Sequence, residues 1–141
     1  MTARDLMTPN PITVIPEASM AEVWDLMHER DIRHMPVVRD GALVGMLSDR
    51  DLARLNLARI LSIEGADALQ QELETPIVKV MSADAIAVEP ETDLSEVVEL
   101  LLEHKIGALP VVLPDTRQVV GIVSYIDVLR SLYEQFDEEL D

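Results

Sequence analysis

Residues 5–38 read DLMTPNPITVIPEASMAEVWDLMHERDIRHMPVV, and residues 79–112 read KVMSADAIAVEPETDLSEVVELLLEHKIGALPVV. Laid on one another, they place Met7 on Met81, an offset of 74 residues. That offset holds without a gap through Ile12/Ile86, Val14/Val88, Pro16/Pro90, Glu17/Glu91, Glu22/Glu96, Val23/Val97, Leu26/Leu100, Glu29/Glu103 and Ile32/Ile106. It runs on to Pro36-Val37-Val38 over Pro110-Val111-Val112. Two extra residues in the second copy then move the offset to 76, on which Gly45/Gly121, Ser48/Ser124, Asp51/Asp127 and Arg54/Arg130 coincide. The chain is an internal duplication, and a duplication decides the architecture before any local propensity does.

Each copy reads as strand, helix, strand, strand, helix. Residues 12–14 form a short apolar piece closed by Pro16, which suggests a brief first strand. Ser19 with Glu22 spells an S-x-x-E capping box, and Asp93 with Glu96 its equivalent. Behind each box, Met20, Val23, Trp24 and Met27, or Leu94, Val97, Val98 and Leu101, recur at helical spacing. Residues 35–38 and 43–47 then make a hairpin whose turn carries Asp40-Gly41. In the second copy Pro114-Asp115-Thr116-Arg117 takes the turn, one place for the insertion. A last helix starts near Ser48 or Ser124, running through LARLNLARIL in the first copy and VLRSLYEQF in the second.

The fold class is therefore α/β (α+β), with two pseudo-symmetric β-α-β-β-α repeats packed sheet to sheet. Residues 1–61 form the first repeat, 62–76 a polar connector with a short helical turn, 77–136 the second repeat and 137–141 an acidic tail. A half of about 60 residues is marginal alone, and two like halves can cover each other's apolar sheet faces.

Of the 141 residues 48% are hydrophobic and only 3% aromatic, so the core is aliphatic. No apolar run approaches the ~18 residues that span a bilayer, and the start MTARDLMTPNP has no apolar core of a signal peptide. The chain has no cysteine, so neither disulfides nor thiolate chemistry enter. The cytoplasm is the simplest compartment. A formal net charge of −16 repels phosphate backbones and anionic lipid, which argues against nucleic acid and membrane as partners. His28, His34 and His104 lack metal-ligand spacing, which leaves no metal site to expect. His104 and Lys105, near a helix end, fit the helix dipole. No nucleophile motif, Walker loop or G-x-G-x-x-G is present, and no carboxylate pair stands out, so no catalytic residues are assigned and the chain reads as a non-enzyme.

The segment Gly45-Met46-Leu47-Ser48-Asp49-Arg50-Asp51, matched by Gly121-Ile122-Val123-Ser124-Tyr125-Ile126-Asp127, lies at a strand-to-helix junction. A carboxylate there can accept from two vicinal hydroxyls, as the acidic residue does with ribose in dinucleotide folds. The serine hydroxyl and helix amides can meet an anionic or polar group. S-x-x-D before an apolar run is also a capping box, a purely structural device, and both readings stand at this point.

These segments resemble the last motif of cystathionine-beta-synthase-type (CBS) domains. Met35-Pro36-Val37-Val38 and Leu109-Pro110-Val111-Val112 resemble the preceding one. Met7-Thr8 and Met81-Ser82, ahead of Ile12-Thr13-Val14 and Ile86-Ala87-Val88, resemble the family's opening. The resemblance covers nearly the whole chain, twice, leaving out the connector and acidic tail. It implies a regulatory module that binds AMP, ADP, ATP or S-adenosylmethionine in clefts that each draw on both copies. By that pattern Asp51 and Asp127 hold a ribose, with Ser48 and Ser124 near ribose or phosphate. Thr8, Thr13, Ser82 and Ala87 sit near the base, and Arg33 and His34 face phosphates. Pro36, Pro110 and Arg50 complete the candidate set. In the second copy Gly107 and Ala108 replace the charged pair, so the two clefts should diverge. No catalytic cofactor is implied. A homodimer is expected by resemblance, with an effector protein as the receiver of the signal. The competing reading is a ligand-free dimerisation scaffold or interaction module.

Overall fold

A computed structural model of the chain describes residues 1–53 and 65–140. Residues 54–64, which carry the run of the first copy's last helix and the front of the connector, lie outside the described residues, as does residue 141. In chain order the elements are α1 (Ala3–Leu6), β1 (Thr8–Pro9), α2 (Met20–Glu29), β2 (His34–Arg39), β3 (Ala42–Ser48), α3 (Gly65–Leu73), a 3-10 turn (Ile77–Lys79), α4 (Leu94–His104), β4 (Ala108–Val112), β5 (Val119–Ser124) and α5 (Tyr125–Leu140). Helical residues 49–53 follow β3 directly. The class is mixed α/β, as the sequence predicts. Where the connector promised only a helical turn, it carries the nine-residue α3. The chain divides into two compact units, Ile12–Ala85 and Met1–Pro11 together with Ile86–Asp141.

In the unit Ile12–Ala85, β2 and β3 pair antiparallel around Asp40-Gly41. Both turn residues have positive φ, 52° and 84°, the geometry that Asp-Gly favours in a two-residue hairpin loop. The expected first strand is reduced to one parallel bridge, Val14 to Val37, on the free edge of β2. Ser19 caps α2 by accepting the Glu22 N–H at 3.2 Å. The helix buries Met20, Val23 and Met27 against Met35, Val37, Leu47, Leu52 and Ile77. Trp24, which the helical spacing puts on the apolar face, is only partly buried and lies against His28, with ring centroids 4.5 Å apart and the planes tilted by 33°.

The other unit repeats this plan. β4 and β5 pair antiparallel, Val88 bridges Val111 in parallel, and α4 buries Val97 and Leu101 against Leu109, Val111 and Val123. The insertion falls in the hairpin loop, where the Leu113 N–H donates to the Gln118 carbonyl and Arg117 takes a φ of 60°. One expectation fails here. The Asp93 side chain caps nothing; the Asp93 carbonyl instead accepts the N–H groups of Glu96 and Val97, both at 3.0 Å. Asp93 is held by a bridge to Thr2, and the Leu94 N–H donates to the Met1 carbonyl, so backbone from the chain's start satisfies the first helical N–H.

That contact has a counterpart in each unit. The opening of each sequence repeat belongs to the unit built on the other repeat. Ala3 and Arg4 donate to the carbonyls of Thr92 and Pro90 at 2.8 and 3.0 Å. At matching positions, Ile77 and Val78 donate to Ala18 and Pro16 at 2.8 and 3.1 Å. Next, β1 pairs antiparallel with β5, Thr8 opposite Ile122, and Ser82 bridges Met46 on β3. Met7 lies over Gly121 and Met81 over Gly45: a Cβ at Gly45 would stand 2.5 Å from the Met81 sulfur, and one at Gly121 would overlap the Met7 sulfur and lie 2.9 Å from its Cγ. Both glycines are therefore required for close approach of a neighbouring side chain.

Candidate functional site

In each unit the second hairpin strand runs without a break into a helix, and the S-x-x-D segment occupies that junction. At the first, the Ser48 N–H and Oγ–H both donate to Asp51 Oδ2, at 2.9 and 3.3 Å. At the second, Ser124 donates the same two hydrogens to Asp127 Oδ2 at 2.8 and 3.1 Å, and the Asp127 N–H returns to Ser124 Oγ at 3.2 Å. The second is a reciprocal capping box and the first shows its carboxylate half, so the structural reading of the motif holds. A carboxylate has about four acceptor positions, and a box engages only part of them. Both aspartates are partly exposed, which leaves that acceptor capacity within reach of a ligand hydroxyl. At Asp127 an Arg130 guanidinium stands 3.7 Å from Oδ1.

The hairpin register decides which side chains flank each box. His34 is the cross-strand partner of Ser48, and Ala108 that of Ser124. The Asp49 N–H donates to the Arg33 carbonyl at 2.9 Å, and the Tyr125 N–H to Gly107 at 3.0 Å, so the backbone is alike in both. The side chains are not. Around the first junction stand Arg33, His34, Asp49, Arg50 and Asp51; around the second, Gly107, Ala108, Tyr125, Ile126 and Asp127.

Arg33 and His34 also part company. Arg33 lines a recess of about 330 Å³ with Trp24, Met27, His28, Asp49 and Leu52, while His34 pairs with Ser48 on the strands. Burial holds the His34 imidazole below its ordinary value of 6.5; Arg33 and Arg50 push the same way, and Asp49 and Asp51 oppose them. His34 is thus neutral at pH 7.

The remaining sequence candidates fall around the same two hairpins. Thr13 precedes Val14, whose N–H donates to the Pro36 carbonyl at 3.2 Å; Ala87 precedes Val88, whose N–H donates to Pro110 at 3.0 Å. Pro36 and Pro110 are fully buried, so only their carbonyls take part. Ser82 is exposed on the edge of β3, and Thr8 is exposed on the edge of β5. Sequence reasoning missed the roles of Gly45 and Gly121. Their matched positions carried the signal, but what lies over them is a methionine from distant sequence. Among the described residues no group of three or more His, Asp or Glu side chains is placed to hold a metal, and no helix is long and apolar enough to cross a membrane.

The CBS domain family matches this chain twice, over residues 3–58 and 77–134. The chain belongs to the CBS domain family. The CBS domain-containing protein YhcV of Bacillus subtilis is 34% identical over 127 residues, covering 90% of this chain and 82% of its own. Other curated relatives are longer, and the chain spans 42% and 23% of two of them. Among solved structures, the CBS domain pair of protein MJ0100, in complex with 5′-methylthioadenosine and S-adenosylmethionine, aligns with a TM-score of 0.80 at 26% identity, covering 96% of this chain and 98% of that one. CBSX2 from Arabidopsis thaliana, in complex with AMP, aligns with a TM-score of 0.78 at 29% identity, covering 94% and 96%.

Proposed function

We propose that this CBS pair is a regulatory module that senses an adenosine-containing ligand, AMP, ADP, ATP or S-adenosylmethionine, and is not an enzyme. The observation that carries the reading is the matched pair of Ser–Asp junctions, in a family whose solved pairs include complexes with AMP, methylthioadenosine and S-adenosylmethionine. Asp51 and Asp127 accept the ribose hydroxyls, and Ser48 and Ser124 lie beside ribose or phosphate. Thr8, Thr13, Ser82 and Ala87 meet the base, partly through backbone. The charged first junction takes the more phosphorylated ligand. The second, with Gly107 and Ala108, takes a less charged adenosyl group. Occupancy acts on whichever arrangement of the protein binds the ligand more tightly. The output is self-association or contact with an effector.

A thermal-shift screen against AMP, ADP, ATP, S-adenosylmethionine and adenosine, with GTP as control, tests this. A ligand at 100 times its Kd adds about 2.7 kcal/mol, a rise of roughly 5–12 °C for a domain of this size. Asp51→Ala and Asp127→Ala should each lose about 1.5–3 kcal/mol of that binding, measured against the variant's own baseline because the cap is lost too. No shift with any adenosyl ligand sinks the sensor reading. Equal ATP affinity at both junctions sinks the asymmetry.

A specific observation also favours self-association, the core of the scaffold reading. α5 leaves Ile126, Leu129, Tyr133 and Phe136 exposed along one face, and Leu102 on α4, which packs against α5, is 73% exposed. A homodimer that buries this surface fits either reading.

A further inference from the structure

Of the two side chains that face the junction serines across the hairpins, His34 and Ala108, only His34 is ionisable, and imidazole is the group whose charge changes close to neutral pH. Its position is set by the hairpin: it pairs with Ser48, whose N–H and Oγ–H are held by Asp51. The charged groups acting on it are Arg33 on its own strand side, and Asp49, Arg50 and Asp51 at the start of the following helix. β3 contributes no ionisable side chain, and Arg54 lies outside the described residues. The two cations and two carboxylates leave no large net field, so half-burial decides, and the ring stays neutral. A phosphate brought to this junction changes that balance by adding negative charge beside a neutral imidazole.

Resting on the ligand reading above, we infer that anion binding at the Ser48–Asp51 junction is coupled to protonation of His34, so that mild acidity strengthens binding there, while the Ser124–Asp127 junction, with Ala108 in the equivalent place, does not respond. The proton comes from solvent, and the imidazolium then donates a charge-assisted hydrogen bond to the phosphate. By linkage, affinity rises as pH falls from above the bound-state value of His34 toward its lower free-state value. The module then reports a nucleotide and acidity together.

Calorimetry of ATP and of pyrophosphate, each in two buffers of different ionisation enthalpy at pH 6.5, measures proton uptake directly. Wild type should take up a fraction of a proton more per ligand than His34→Gln. Between pH 7.5 and pH 6.0 wild-type affinity should gain about three- to tenfold relative to that variant, since one unit of pKa shift is tenfold in binding. The comparison with His34→Gln cancels protonation of the ligand's own phosphates. If the variant is poorly folded, NMR titration of the wild-type imidazoles with and without pyrophosphate replaces it, and only the His34 resonance should move its midpoint upward. Binding with equal proton uptake in both proteins, or an unmoved His34 midpoint, overturns the coupling and leaves the ligand reading intact. No binding of any probe overturns both.

Discussion

The two strand-to-helix junctions share a backbone and differ in almost every side chain around it. Ser48 and Ser124 donate the same two hydrogens to Asp51 and Asp127, and Arg33 and Gly107 accept the same N–H from the next helix. Across the hairpin, however, one box faces His34 and the other Ala108. The backbone pattern needs only a serine, an aspartate three residues on, and a free carbonyl. Nothing in it constrains the flanking charges. Duplication thus supplied two equivalent frames, and their flanking charges differ.

The largest effect that would test this equivalence is removal of residues 1–11. They complete the second repeat's unit with the buried Ala3 and Leu6 and with β1. The shortened chain should lose about 4 kcal/mol or more of stability in that unit, seen in urea denaturation as an early transition. An unchanged single transition would mean that the exchanged segment is dispensable.

Next come the glycines under the methionines. Gly121→Ala should cost about 2–3 kcal/mol and Gly45→Ala about 1–2. The reason for the order is that the added methyl meets Met7 down to its Cγ and Cβ, but meets mainly the mobile end of Met81. Equal values would show that the two close approaches relax alike. Replacing the box aspartates should cost less, about 1 kcal/mol each for Asp51→Ala and Asp127→Ala, in thermal melts without ligand. A clear inequality there would break the equivalence of the frames themselves.

The smallest expected effect belongs to His34. Its folded value lies below the ordinary 6.5, so its contribution to stability is complete above that pH and is lost as pH falls from 6.5 through the folded value. Wild type should therefore weaken more than His34→Gln between pH 7.5 and pH 5.5, read as the change in Tm. Parallel curves would remove His34 from the account.

Much of this was legible before any coordinates. The Asp40-Gly41 turn, the Ser19 cap and both S-x-x-D boxes are made by residues one to three apart, and such contacts are written in local spacing. Asp93 stands at the N-cap position the spacing marks but makes no side-chain cap, although the backbone around it matches that around Ser19, which does. Arg33 and His34 read as one charged pair in sequence, and the start of β2 falls between them: Arg33 lines the recess before the strand and His34 enters the ladder opposite Ser48.

By itself the sequence determined the duplication, the helix and hairpin of each repeat and the Ser–Asp contacts at both junctions, since periodicity and short-range hydrogen bonds carry that information directly. Only the tertiary structure decided that each repeat's opening completes the other repeat's unit. That choice rests on edge pairing between residues far apart in sequence, such as Thr8 with Ile122 and Ser82 with Met46. Edge hydrogen bonds are made by the backbone and do not depend on side-chain identity, so local spacing cannot assign either opening to a hairpin; the long-range pairing does.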